Sequence, residues 1–118
     1  DTSVAWDSAT LGRLVGNNPE MQRRLLTKFL ANAQSQVAAM ESARATGDLR
    51  ALTDVAHTLK SAARTVGALA LGELCQAMET AGRAGDLHRC MALAQGVPSA
   101  LTAAQHPIQQ HLSQGDAV

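Results

Sequence analysis

The sequence has very few aromatic residues and no excess of either charge. One Trp, one Phe and no Tyr make up 2% of the 118 residues, and ten Lys and Arg residues balance ten Asp and Glu residues. Proteins that bind single-stranded nucleic acid use stacked aromatic rings and a basic groove. We therefore expect no nucleic-acid partner and no electrostatic attraction to an acidic membrane surface.

Cysteines and long apolar runs are also scarce. Cys75 and Cys90 are the only cysteines. Two cysteines do not make a disulfide framework, and their apolar helical surroundings predict two buried free thiols. No run approaches the ~18–20 apolar residues of a membrane span, and the chain does not begin with a signal-peptide pattern. We predict a cytoplasmic domain, and we interpret the start at Asp1 as that of a domain excised from a longer protein or of a processed chain.

Residues that favour helices dominate what is present. Alanine makes up about a fifth of the chain and, with Leu, Arg, Gln, Met and Glu, stabilises helices, whereas strand-favouring Val, Ile and aromatic residues are scarce. The composition predicts an all-α domain.

Capping residues and apolar spacing divide the chain into five predicted helices. The third has the most regular stripe, with steps of three and four residues that are typical of a helical bundle; its members are Leu49, Leu52, Ala56, Leu59, Ala63 and Val66. The predicted N-caps are Asp7 or Ser8, Asn18, Asp48 and Asp86. The other predicted core positions include Leu11 and Leu14 in the first helix, Met21, Phe29 and Met40 in the second, Leu71, Leu74, Cys75 and Met78 in the fourth, and Cys90, Leu93 or Ala94, Val97 and Leu101 in the fifth.

The short predicted loops define the architecture. Neighbouring helices joined by short loops pack antiparallel, so we predict an up-down-up-down four-helix bundle with a short additional N-terminal helix across one end. The whole chain, residues 1–118, is interpreted as one domain with a core at about 7–104. We expect Pro98 to kink or break the last helix, and residues 105–118 to form a frayed polar tail.

His57 lies on the outward face of the third predicted helix. At 100° per residue it is roughly 140° from the centre of the apolar stripe. Lys60, Ser61 and Arg64 follow at i+3, i+4 and i+7 and share this face. A solvated surface histidine would explain the position alone. A neutral imidazole is also a nucleophile, however, and neighbouring cations favour a phosphoryl group attached to it.

Other kinds of site find no support in the sequence. The remaining histidines are His88, His106 and His111. They form no His-x-x-x-His pair, and the chain has no Cys-x-x-Cys motif, no phosphate-binding glycine loop and no paired Glu-x-x-His motif. We predict no metal site and no cofactor.

One continuous run resembles the signature of histidine-containing phosphotransfer (HPt) domains of bacterial phosphorelays. The run is Ala56-His57-Thr58-Leu59-Lys60-Ser61-Ala62-Ala63-Arg64-Thr65-Val66-Gly67-Ala68, and the segments 71–79 and 82–86 fit the same family. The resemblance covers about residues 7–104. It departs at Ser61, where many members have Gly.

The resemblance implies a role for each of these positions. His57 matches the histidine phosphorylated at Nε2, Lys60 matches a lysine near the phosphoryl oxygens, and Glu79 matches a residue that orients Nδ1. Ser61 is small enough to allow docking, and Arg64 would support docking or the phosphate. A surface carboxylate is the alternative interpretation of Glu79, and a solvated charge is the alternative interpretation of Arg64.

The resemblance also implies partners. The domain would be a phosphocarrier without an ATP site, most similar to the C-terminal domain of a hybrid sensor histidine kinase. Its partners would be receiver domains of that kinase and of a response regulator, with Mg²⁺ held by the receiver. We expect a monomer. The alternatives are a phosphorylation-independent interaction module of the same fold and, with less support, an unrelated metal or cofactor bundle.

Overall fold

The described part of the chain, residues 4–116 of the computed structural model, is built from helices and contains no strand. The elements are α1 (Ser8–Val15), α2 (Pro19–Thr46), α3 (Leu49–Val66), α4 (Leu69–Arg83), α5 (Leu87–Ala94) and α6 (Val97–Asp116). Loops of two or three residues join α2 to α3, α3 to α4 and α4 to α5, so successive helices run antiparallel. The helices α2, α3 and α4 are three of the four members of the bundle, and α5 and α6 together make up the fourth. The all-α prediction is confirmed.

Polar side chains start the helices where the sequence predicts. Each cap accepts a hydrogen bond from a backbone N–H of the first turn that has no partner within the helix. The four caps and their donors are Asp7 with Ala9, Asn18 with Met21, Asp48 with Ala51 and Asp86 with Arg89. These caps fix where α1, α2, α3 and α5 begin and therefore which of their residues face the core.

The core follows the predicted stripes closely along α3. All of its inner positions from Leu52 to Val66 are buried. Cys75 and Cys90 are buried free thiols, as predicted, and burial raises the pKa of the Cys75 thiol to about 12. Leu14 and Met21 depart from the prediction, because they are 51% and 41% exposed. They lie in the last turn of α1 and the first turn of α2, where neighbouring helices do not cover them.

Leu59 provides a test of the α3 register. Its side chain is fully buried and faces the centre of the bundle, one residue before Lys60. We expect Leu59→Ala to lower the free energy of unfolding by about 2–5 kcal/mol, because it removes buried methyl groups and leaves a cavity. Urea denaturation would measure the loss. A change below about 0.5 kcal/mol, typical of surface positions, would contradict this register.

The C-terminal region differs from the prediction. The break occurs at Gln95 and Gly96, so Pro98 is the second residue of α6, where proline is tolerated. The tail predicted to fray beyond Gln105 is instead helical to Asp116, and Ile108 is fully buried. The prediction was wrong because the polar composition of this segment conceals an apolar stripe at three- and four-residue steps. Its members are Val97, Leu101, Ala104, Ile108 and Leu112.

The N-terminal segment is held against the turn between α3 and α4. The indole Nε1 of Trp6 donates to the carbonyl of Val66 at 2.8 Å, and the Asp7 N–H donates to the carbonyl of Gly67 at 2.7 Å. Gly67 has φ +93°, and a Cβ there would lie 2.2 Å from the Asp7 carbonyl oxygen. Only glycine fits this junction. No helix between residues 4 and 116 is both long enough and apolar enough to cross a membrane.

Candidate functional site

His57 projects from the middle of α3 into solvent. Its side chain is 58% exposed, whereas Ala56 and Leu59 beside it are fully buried. The outward orientation predicted from the helical period is therefore confirmed. Because His57 lies in the middle of a long, capped helix, helical hydrogen bonds on both sides hold its backbone in place.

Glu79 approaches His57 from α4 and is fully buried. Its Oε2 lies 2.9 Å from His57 Nδ1, and its Oε1 lies 2.6 Å from Lys60 Nζ. The contact with Lys60 is an ion pair rather than a well-aligned hydrogen bond. A buried carboxylate is costly unless it is paired, so these partners compensate for the burial of Glu79. The alternative of a surface carboxylate is wrong.

Lys60 is directed at α4 rather than at open solvent. Its side chain is 15% exposed, and Nζ donates to Gln76 Oε1 at 3.3 Å in addition to its ion pair with Glu79. Gln76 in turn donates to Thr80 Oγ1 at 3.2 Å. These groups on α4 hold the ammonium against Glu79, the carboxylate that also binds His57.

The cluster formed by His57, Lys60 and Glu79 has a fourth member, Arg83, which the sequence analysis did not single out. Its guanidinium contacts Glu79 Oε2, the same oxygen that accepts from His57. Its side chain is 70% exposed, and it lines a shallow polar recess beside His57 together with Thr53, Asp54, Thr58 and Glu79. The available signal was its i+4 spacing from Glu79 on α4, a spacing at which helical ion pairs form.

The carboxylate determines which imidazole nitrogen carries the proton. The Lys60 ammonium, followed by the hydrogen bond from His57 and the charge of Arg83, holds the pKa of Glu79 below its ordinary value despite the opposing effect of burial. An ionised carboxylate only accepts hydrogen bonds, so Nδ1 must be the donor. In the neutral ring Nε2 then keeps its lone pair. The site thus presents a nucleophilic nitrogen to solvent.

The other predicted residues lie farther along the same helix. Ser61 is exposed on α3. Arg64 is also exposed and forms an ion pair with Glu73 of α4 at 3.5 Å. Its aliphatic stem lies over Gly72. The structure therefore brings His57, Lys60 and Glu79 into one cluster and places Arg64 at its margin.

The remaining histidines lie apart from this cluster. His88 and His106 are exposed. His111 lies in the helical segment that was predicted to fray, where its Nε2 is 3.2 Å from Gln22 Oε1 and its ring stacks edge-on against Trp6. In the part of the chain that the structure describes, no group of three His, Cys, Asp or Glu residues is placed to hold a metal ion.

The acid limb of the stability profile should depend on Glu79. The folded-state pKa of Glu79 lies below the ordinary value of 4.5. Between these two pKa values the unfolded chain therefore binds more protons than the folded chain. The contribution to stability is complete above about pH 4.5 and decreases as the pH falls through the folded-state pKa. Glu79→Gln cannot take up this proton. Urea denaturation across this pH range should show a steeper acid loss for the wild type, and parallel curves would contradict the lowered pKa.

Comparison with known protein families identifies the family of the chain. The model of the Hpt domain matches residues 24–107, which is most of the chain. The chain therefore belongs to the Hpt domain family, whose role is histidine phosphotransfer in phosphorelays. A comparison with curated protein sequences finds no match.

A solved structure shares the fold. It is the crystal structure of histidine-containing phosphotransfer protein B (HptB) from Pseudomonas aeruginosa PAO1. The TM-score is 0.86 at 24% sequence identity, and the alignment covers 93% of this chain and 96% of that one. At this identity the likeness concerns the course of the helices, whereas the site rests on the contacts described above.

Proposed function

We propose that His57 accepts a phosphoryl group from the phosphorylated aspartate of one receiver domain and passes it to the aspartate of a second, in a response regulator. One observation carries this proposal. An exposed imidazole has its Nδ1 bound by a buried carboxylate, which leaves Nε2 free and directed outward. The first receiver would be that of a hybrid sensor kinase, and this domain would be the intermediate carrier.

The chemistry requires little of this domain beyond a well-placed nucleophile. The lone pair of His57 Nε2 attacks phosphorus in line, a nitrogen–phosphorus bond forms, and the bond from phosphorus to the aspartate oxygen breaks. The aspartate leaves as a carboxylate. The proton on Nδ1 stays in place, and the Glu79 carboxylate stabilises the positive charge that the ring acquires. The reverse sequence on the second receiver restores the neutral imidazole.

The charges around His57 suit a phosphoryl group. Lys60 and Arg83 contribute two positive charges in contact with the single negative charge of Glu79. A phosphoryl group adds close to two negative charges at neutral pH and would draw both cations toward its oxygens. In this proposal Lys60 and Arg83 stabilise the phosphorylated state, and the Mg²⁺ that transfer needs is held by the receiver.

The surface around His57 would receive the partner. Ser61, exposed on α3, is small and leaves room for a receiver to approach. Arg64 at the margin would contact the receiver or support the phosphate. Such transient complexes use small interfaces of modest affinity, which suits a carrier that must release each partner.

The test is phosphoryl transfer from a radiolabelled, phosphorylated receiver domain in the presence of Mg²⁺. We expect label to move to this chain and to be released by acid but retained in alkali, as expected for a nitrogen–phosphorus bond. A receiver that binds the chain without transferring label would contradict the carrier role and favour the phosphorylation-independent interaction module.

A further inference from the structure

The helices α3 and α4 are in close contact at Thr53 and Gly82. A Cβ on Gly82 would lie 1.9 Å from Thr53 Oγ1, 2.9 Å from its Cβ and 3.1 Å from its Cγ2. Distances below 3.0 Å are essentially never seen for real Cβ atoms. No side chain therefore fits at position 82 while the two helices keep this spacing.

Rotation of the Thr53 side chain does not make enough room for a Cβ at position 82. Its hydroxyl donates to the carbonyl of Leu49 at 2.7 Å, which holds the rotamer. Rotation about χ1 would move Oγ1 and Cγ2 but not Cβ. Restoring an ordinary contact of at least 3.4 Å from the 2.9 Å at Cβ requires the helix backbones to separate by about 0.5 Å.

This contact spans the same two helices as the hydrogen bond of the site. Thr53 precedes His57 by one turn on α3, and Gly82 follows Glu79 by one turn on α4. We propose that Gly82 is a positioning residue, whose lack of a side chain sets the α3–α4 spacing at which Glu79 Oε2 reaches His57 Nδ1. A separation of about 0.5 Å would lengthen that 2.9 Å bond beyond the 2.7–3.2 Å range of N–H···O bonds.

The direct test is Gly82→Ala, followed by ¹⁵N NMR of the His57 ring without any phosphate. In the wild type we expect Nδ1 to carry the proton and Nε2 to show the shift of an unprotonated nitrogen. In the variant we expect the neutral ring to become a mixture of both tautomers, because the bond to Glu79 is weakened. The effect on phosphoryl transfer rests on the proposed function. There we expect about a tenfold loss of rate, since a misplacement of about 1 Å costs about 100-fold.

Gly72→Ala is the matched control. Gly72 lies on the same helix and also faces α3, but a Cβ there would meet Arg64 Cγ at 3.1 Å, on a flexible side chain that can shift. We expect the wild-type NMR signature in this variant. An equal disturbance in both variants would overturn the specific role of Gly82.

A compensating variant tests whether the contact between positions 53 and 82 causes the change in the His57 ring. Thr53→Gly combined with Gly82→Ala moves the side chain from one helix to the other, so it should restore the wild-type signature. If Gly82→Ala fails to fold, this double variant must fold and show that signature. A normal signature in Gly82→Ala, or a double variant that does not restore it, overturns the proposal. Because NMR needs no phosphoryl donor, these outcomes are distinct from a failure of the carrier role.

Discussion

His57→Gln should abolish phosphoryl acceptance and leave the fold intact. The variant removes the only ring of the cluster and with it the Nε2 lone pair that attacks phosphorus. A glutamine amide can still donate to Glu79 Oε2, so the buried carboxylate keeps a partner at this position. The side chain is 58% exposed. We therefore expect the free energy of unfolding to change by about 0.5 kcal/mol or less, as at other surface positions.

Transfer of radiolabel from a phosphorylated receiver measures the first expectation, and thermal denaturation followed by circular dichroism measures the second. His88→Gln is the matched control, because His88 is an exposed helical histidine outside the cluster. It should accept label at the wild-type rate. Label on the His57→Gln protein would place the acceptor elsewhere, and a large loss of stability would mean that His57 contributes to the core.

The sequence predicted the buried face best in helices with a regular apolar spacing. Along α3 the buried positions follow steps of three and four, and this periodicity alone places His57 outside. The capping residues supplied the starts of α1, α2, α3 and α5. The end of α6 was missed because histidine, glutamine and serine surround its few apolar residues. The signal was present in the spacing of Ala104 and Ile108, whereas composition was the poorer guide.

The cluster was less accessible to sequence reasoning than the helices. Helical period places His57 and Lys60 on related faces of α3, but it does not show that Lys60 turns toward α4. Whether Glu79 is buried depends on the packing of α4 against α3, and the sequence analysis did not single out its i+4 partner Arg83. The close contact of Gly82 with Thr53 is invisible in the sequence, since it depends on the distance between two backbones.

Glu79→Ala should slow phosphoryl transfer by about 100-fold. The variant removes the acceptor for the Nδ1 proton, so the neutral ring is free to place its proton on Nε2 and to rotate away from the attacking geometry. Misplacement of a reacting group by about 1 Å costs about 100-fold. It also removes the carboxylate that stabilises the charged ring, and it leaves Lys60 and Arg83 without their common partner.

Glu79→Gln separates orientation from charge. An amide oxygen of nearly the same size and position can still accept from His57 Nδ1, so we expect this variant to transfer within about tenfold of the wild type, while Glu79→Ala does not. The measurement is the single-turnover rate of label transfer at saturating receiver, which removes differences in docking. Equal losses in both variants would show that the charge of Glu79 matters more than the orientation of the ring. Wild-type rates in Glu79→Ala would contradict any part for Glu79 in the transfer, because the imidazole would then attack without a partner on Nδ1.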